Sequence, residues 1–116
     1  MLYSELLALN TKTIEEFKKI AVVCNKILNL KEPPIFANQV LRSAMDIADN
    51  VNQAKNGLNE TERLQFLNLA LKACHTTEYF AALLNSPEVK MATFDINSIV
   101  YASKNIRTDI ELMIKK

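Results

Sequence analysis

A chain of 116 residues is one domain's worth, long enough to bury roughly two thirds of its unfolded surface around one core. Apolar residues make up 49% of it and glycine occurs once, which excludes a disordered chain and argues against a loop-rich catalytic scaffold. Fourteen basic side chains against thirteen acidic ones leave a formal charge of +1, so no whole-chain field draws in phosphate and nucleic-acid binding would need a local patch.

In the first predicted helix, Leu7, Ile14, Ala21 and Leu28, with Phe17 and Cys24 between them, repeat at heptad spacing and form one apolar stripe. Its start is open: Thr13 and Glu16 have the spacing of a capping box, yet Ser4 to Leu9 already reads as helical. Asn10 falls on the stripe, either near a frayed beginning or as a buried polar residue that fixes register. Pro33-Pro34 ends the helix, because proline lacks the amide donor and disfavours helical geometry in the residue before it.

A second helix is predicted from about Phe36 to Asn56. At about 100° per residue, Val40, Ala44, Ile47, Val51 and Ala54 form its central stripe, with Leu41, Met45 and Ala48 extending one side. Arg42, Asp46, Asp49 and Gln53 make the polar face, where Arg42 and Asp46 are spaced for an exposed ion pair. Asn56-Gly57-Leu58-Asn59 then marks a helix hairpin, with Asn59 as cap and Glu62 at the answering position of the next helix.

The third helix is the most apolar. Leu64, Phe66, Leu67, Leu69, Ala70, Leu71, Ala73, Cys74, Phe80, Ala81 and Leu84 cover more than half its circumference, leaving a strip of Gln65, Asn68, Lys72, His75, Thr76 and Tyr79. So wide an arc exceeds what neighbours in one small bundle cover, and self-association is the natural sink for the surplus. Glu78 falls at the edge of this arc, where a buried charge needs a partner; Arg107 or a lysine of an adjacent subunit are the candidates. Ser86-Pro87 starts the next element, and the piece from Ser86 to Thr93 is either a short turn or the leading end of helix four. In that helix Ile96, Ile99, Ser103, Ile106, Ile110 and Met113 form a coiled-coil-like seam, and Lys115-Lys116 complements the dipole at its end.

The residues offer little chemistry. Cys24 and Cys74 lack close-spaced partners and read as reduced, mostly buried thiols. His75 is the lone histidine, without the Glu-x-x-His pairs of a di-iron bundle or the ligands of a zinc site, so no metal or cofactor is expected. Cys74, Ser43 or Ser103 with His75 would be the only nucleophile-base pairs to draw, and Cys74 points away from its neighbour on the helix. One glycine cannot build a phosphate-binding loop. The first residues carry no basic run, and no apolar stretch approaches the ~20 residues of a bilayer crossing, so a cytoplasmic location without membrane partners is expected.

Leu41-Arg42-Ser43-Ala44, Ile47, Asn50-Val51 and Ala54, continuing through Phe66-Leu67, Leu69-Ala70-Leu71 and Tyr79-Phe80, carry a resemblance. They resemble the four-helix-bundle family encoded in intervening sequences of bacterial large-subunit ribosomal RNA genes, whose relatives include the accessory (Avd) proteins of diversity-generating retroelements. The likeness spans about Tyr3 to Leu84 and implies an antiparallel bundle that assembles as a homopentamer. By it, Asn50 corresponds to a recurrent structural asparagine, satisfying a neighbouring helix or subunit, and Arg42 to a recurrent arginine. The chain departs at Asn52-Gln53, Ala73 and Thr76, where relatives often carry acidic residues. It is also nearly neutral where the retroelement proteins look strongly basic.

The expectation is therefore an all-α, antiparallel up-down four-helix bundle over residues 1–116 as a single domain, acting as a non-enzymatic homo-oligomeric interaction module. Leu41, Met45, Phe66, Leu69 and Phe80 are its interface candidates, and Asn50 and Glu78 its structural polar residues. The alternative is an accessory protein that binds RNA or DNA through Lys12, Arg42, Arg63 and Lys72, with a reverse transcriptase as a possible protein partner; rings of subunits would multiply a modest patch. The remote alternative is a bundle enzyme with a carboxylate site at Glu78.

Overall fold

In the computed structural model, residues 1–30, 35–84 and 93–115 are described, with side chains in the last segment from 95 onward. Four helices follow one another, α1 (Tyr3–Leu28), α2 (Phe36–Lys55), α3 (Glu60–Leu84) and α4 (Thr93–Lys115). Each packs on its chain neighbours and α1 closes against α4, so the four form a square in chain order. The extents of 46 × 19 × 18 Å are those of helices lying side by side.

Two apolar clusters give the directions. One gathers Ile20 to Ile27 of α1, Ala37 to Ala44 of α2, Ala81 and Leu84 of α3 and Ile96 to Ala102 of α4. The other gathers Leu6 and Leu9, Ile47 to Ala54, Leu67 to Cys74 and Ile106 to Met113. Successive helices therefore run in opposite directions, the expected up-down bundle.

The predicted stripes of α2 and α4 are the buried faces: Val40, Ala44, Ile47, Val51 and Ala54 on one, Ile96, Ile99, Ser103, Ile106, Ile110 and Met113 on the other. The stripe of α1 is corrected in part. Cys24 is in the core and Phe17 and Leu28 pack against it, but the rest of the core face is Leu6, Leu9, Thr13, Ile20, Val23 and Ile27, while Leu7 and Ile14 stay 44% and 42% exposed. The heptad pattern marked a flank because α1 is apolar over an arc wider than the core covers, and periodicity alone cannot say which part faces inward. Thr13 and Glu16 are no cap but lie buried inside the helix, Thr13 Oγ1 donating to the Leu9 carbonyl at 2.7 Å. Asn10 likewise lies within α1 and is buried, so the frayed-start reading of it fails.

The α2–α3 hairpin forms as expected, for a partly different reason. Asn59 Oδ1 accepts from the Glu62 amide at 2.9 Å and caps α3. Gly57 has no positive φ. It is needed for closeness instead: a Cβ there would stand 2.7 Å from Arg63 Cγ and 3.1 Å from the Ala54 carbonyl oxygen. Arg63 Nε donates to the Gly57 carbonyl at 3.2 Å, folding its side chain over the turn.

On α3 most of the wide apolar arc is absorbed within the chain. Phe66 and Leu71 pack on the second cluster, and Phe80 packs on the first and stacks on Phe36 at 5.9 Å. The surplus left exposed is Leu69 and Leu83. Pro33-Pro34, the Ser86–Thr93 piece and Lys116 fall outside the described residues or at their edge. Among the described residues, no helix is long and apolar enough to cross a membrane.

Candidate interaction surface and buried polar layer

Between the two apolar clusters the bundle turns polar. Thr13, Ser43, Thr77 and Ser103, one hydroxyl per helix, are all buried, and Asn10 and Glu16 join them from α1. Thr77 Oγ1 shares its proton between Ser43 Oγ at 2.9 Å and its own helix's Ala73 carbonyl at 2.8 Å, while Ser43 donates to the Val40 carbonyl at 3.0 Å. Ser103 reaches the Cys74 carbonyl at 3.2 Å and Glu78 Oε2 at 3.1 Å. Each hydroxyl is thus satisfied, as a dry interior requires. Sequence reasoning passed over Thr77; its place one helical turn from Ala73, Cys74 and Ala81 was the available signal.

Glu78 finds the expected partner. Arg107 donates from Nε to Oε2 at 3.0 Å and from a terminal nitrogen to Oε1 at 3.2 Å, and its other terminal nitrogen donates to Glu111 at 3.3 Å. The bond to Glu78, then the charge of that carboxylate, holds the Arg107 guanidinium above its usual pKa against the opposing effect of burial. Both oxygens of Glu78 are engaged, an arrangement that fixes α3 against α4 and leaves no free carboxylate to act as an acid.

The nucleophile-base pairings are not assembled. His75 is exposed on the outer side of α3, whereas Ser43, Ser103 and Cys74 are buried with the partners given above. Burial pushes the Cys24 thiol up to about 11. It pushes Cys74 up to about 12, the Ser103 hydroxyl offsetting part of the rise and the Glu78 charge adding to it. Neither is a reactive thiolate near neutrality. Among the described residues no group of three or more His, Cys, Asp and Glu side chains is placed to hold a metal ion. The concavity beside His75 is a shallow groove along α3, lined by Leu71, Lys72, Thr76, Tyr79 and Phe80.

The four cations proposed for nucleic acid do not share a face. Lys12 pairs with Asp109 on the α1–α4 side, and Arg63 lies over the hairpin turn, 3.9 Å from Glu60. Arg42 and Lys72 are exposed on α2 and α3, and the expected Arg42–Asp46 pair does not form among the described residues. Asn50 donates to the Asp46 carbonyl of its own helix at 2.9 Å rather than to a neighbour.

The five interface candidates divide in the same way. Leu41, Phe66 and Phe80 are partly buried against the clusters, while Met45 is 53% and Leu69 46% exposed. Leu69 shares a groove with Asp46, Asn50 and Thr76, so those α2 residues mark the flank towards α3. Met45 projects on the other flank of α2, towards α1. Lys12 marks the α4 side of α1; Ile14 falls on the side away from it, and Leu7 lines an outward groove of α1 with Ser4, Ala8 and Thr11.

No family model matches the sequence, and no curated protein does. A solved structure is similar: a protein of unknown function from the S23 ribosomal protein family of Bacteroides thetaiotaomicron VPI-5482, at a TM-score of 0.86 and 25% identity, over 97% of this chain and 99% of that one. The chain therefore shares its all-helical architecture, end to end, with a protein of that family.

Proposed function

We propose that this protein is a non-enzymatic, homo-oligomeric interaction module of the intervening-sequence kind, working as one domain in the cytoplasm. The observation that carries the reading is the contrast between the hydrogen-bonded hydroxyls of the interior and the large apolar side chains left outside. Leu7 and Ile14 of α1 and Met45 of α2 are exposed, and Leu69 of α3 lines a groove with Asp46 and Asn50. A cyclic pentamer is built from heterologous contacts, in which one patch of each subunit meets a different patch of the next, so exposed apolar side chains on separate helices suit it. The S23-family neighbour supports the fold that such an assembly would use.

Light scattering tests this. Met45→Glu and Leu69→Glu should each lower the assembled mass towards that of the 13.1 kDa chain while leaving helicity intact. Full mass in both variants would remove the interface assignment. Phe66 and Phe80 are unsuitable probes, because a charge there would also damage the core they pack against.

A second reading, nucleic-acid binding in the manner of the retroelement accessory proteins with a reverse transcriptase as partner, draws on Arg42 and Lys72, exposed and without an ion-pair partner among the described residues. Fluorescence anisotropy of labelled structured RNA and duplex DNA across a salt series separates the two readings. Binding through phosphate contacts weakens steeply with salt and with Arg42→Ala or Lys72→Ala, and absence of binding at low salt removes this reading.

A further inference from the structure

Buried polar groups are distributed unevenly among the helices. Thr77 and Ser43 tie α3 to α2, and Ser103 and Arg107 tie α4 to α3 through the Cys74 carbonyl and Glu78. The first half of α1 contributes Asn10, Thr13 and Glu16 to the interior, and none of these bonds to another helix among the described residues. Thr13 donates to its own helix and Glu16 accepts from Lys19 at 3.2 Å. Asn10 is 8% exposed, and its side-chain Oδ1 is buried without a hydrogen-bond partner among the described residues.

This half-helix also buries little apolar bulk in return. Of its large apolar side chains only Leu6 and Leu9 are in the core, while Leu7 and Ile14 stay outside. The second half is the opposite case, with Ile20, Val23, Cys24 and Ile27 all buried. Among the described residues, the ion pairs that cross from this end of α1 to other helices include Lys12–Asp109 and the Met1 amino group with Glu60 at 3.7 Å. Lys12 and Asp109 retain solvent access, so that pair is easily exchanged for water, whereas Glu60 is 53% exposed opposite a Met1 side chain that is 2% exposed.

We infer that the first half of α1, Tyr3 to Glu16, opens from the bundle as a local unit while α2, α3, α4 and the second half of α1 stay closed. Opening rehydrates the Asn10 carbonyl oxygen and the Glu16 carboxylate, which offsets the exposure of Leu6 and Leu9, whereas opening α3 from α4 must break charge-assisted bonds. The opened form uncovers an apolar groove over Ile47, Val51, Ile106 and Ile110. The device belongs to the single chain, since burial of Leu7 and Ile14 against another subunit would oppose opening, and exchange is therefore measured at a concentration where light scattering gives the 13.1 kDa mass.

Native-state hydrogen exchange followed by mass spectrometry, with a series of low denaturant concentrations, tests it. Amides of residues 7–16 should exchange about ten-fold or more faster than those of residues 67–81, with a weak denaturant dependence. Asn10→Leu, which fills the site without an unpartnered acceptor, should slow the 7–16 amides several-fold and leave α3 little changed. Leu6→Ala should speed the same amides alone. The inference is overturned if residues 7–16 exchange together with residues 67–81 in one opening, or if Asn10→Leu shifts both segments equally or neither.

Discussion

Removing Arg107 should expose how much of the bundle's stability rests on one polar junction. Arg107→Met keeps the length of the aliphatic stem but leaves Glu78, whose side chain is 16% exposed, with only the Ser103 hydroxyl. Breaking a fully buried ion pair from one side costs about 3–5 kcal/mol, and the 23% exposure of Arg107 lets water repair part of that loss. We therefore expect a loss of about 2–3 kcal/mol, read as roughly 10 °C in the midpoint of thermal unfolding for a chain of this size. Glu78→Gln should cost less, since the amide still accepts from Ser103 and Arg107 without a charge to desolvate. In Glu78→Leu with Arg107→Met the penalty should shrink, giving a coupling of about 1–2 kcal/mol from urea denaturation of the two singles and the double. A coupling under about 0.5 kcal/mol would mean that the pair behaves as an ordinary surface contact, and the structural role given to Glu78 would be wrong.

Gly57→Ala should destabilise by about 1–2 kcal/mol through the clash with Arg63 and the Ala54 carbonyl, with part of the loss recovered in an Arg63→Ala background; additive losses would show that the close approach is not the cause. The buried thiols give an alkaline limit. Unfolded cysteines lose their protons from about pH 9, while Cys24 and Cys74 in the folded chain hold theirs to about 11 and 12. Stability contributed by the two is present below pH 9 and falls as the pH rises through that window, by about 2–3 kcal/mol near pH 10. Urea midpoints at about pH 8 and pH 10 should show a smaller drop in Cys24→Ala with Cys74→Ala than in the wild type, and an equal drop would refute the assignment. In the light-scattering test, Met45→Glu and Leu69→Glu should change monomer stability by no more than about 0.5 kcal/mol, as expected of exposed positions.

By itself the sequence determined the helices and most of their faces. Alternation of three and four along α2 and α4 named their buried residues because those helices are apolar over one narrow arc, and Asn59 announced the start of α3 through a bond made entirely within one turn. The lone glycine located the hairpin, and the edge position of Glu78 implied a cationic partner. These are local or periodic properties, legible wherever one arc is clearly the apolar one. Tertiary structure decided the rest. Which part of the wide arc of α1 faces the core depended on the helices around it, and so did the burial of Asn10, Thr13 and Glu16. The gathering of four buried hydroxyls at one level of the bundle, with Thr77 bonded to Ser43 from 34 positions away, is a relation with no periodic trace. That Lys12 pairs with Asp109 on α4 while Arg63 folds over the hairpin turn was also set by packing, because side chains that look alike along the chain are given different partners only when the helices meet.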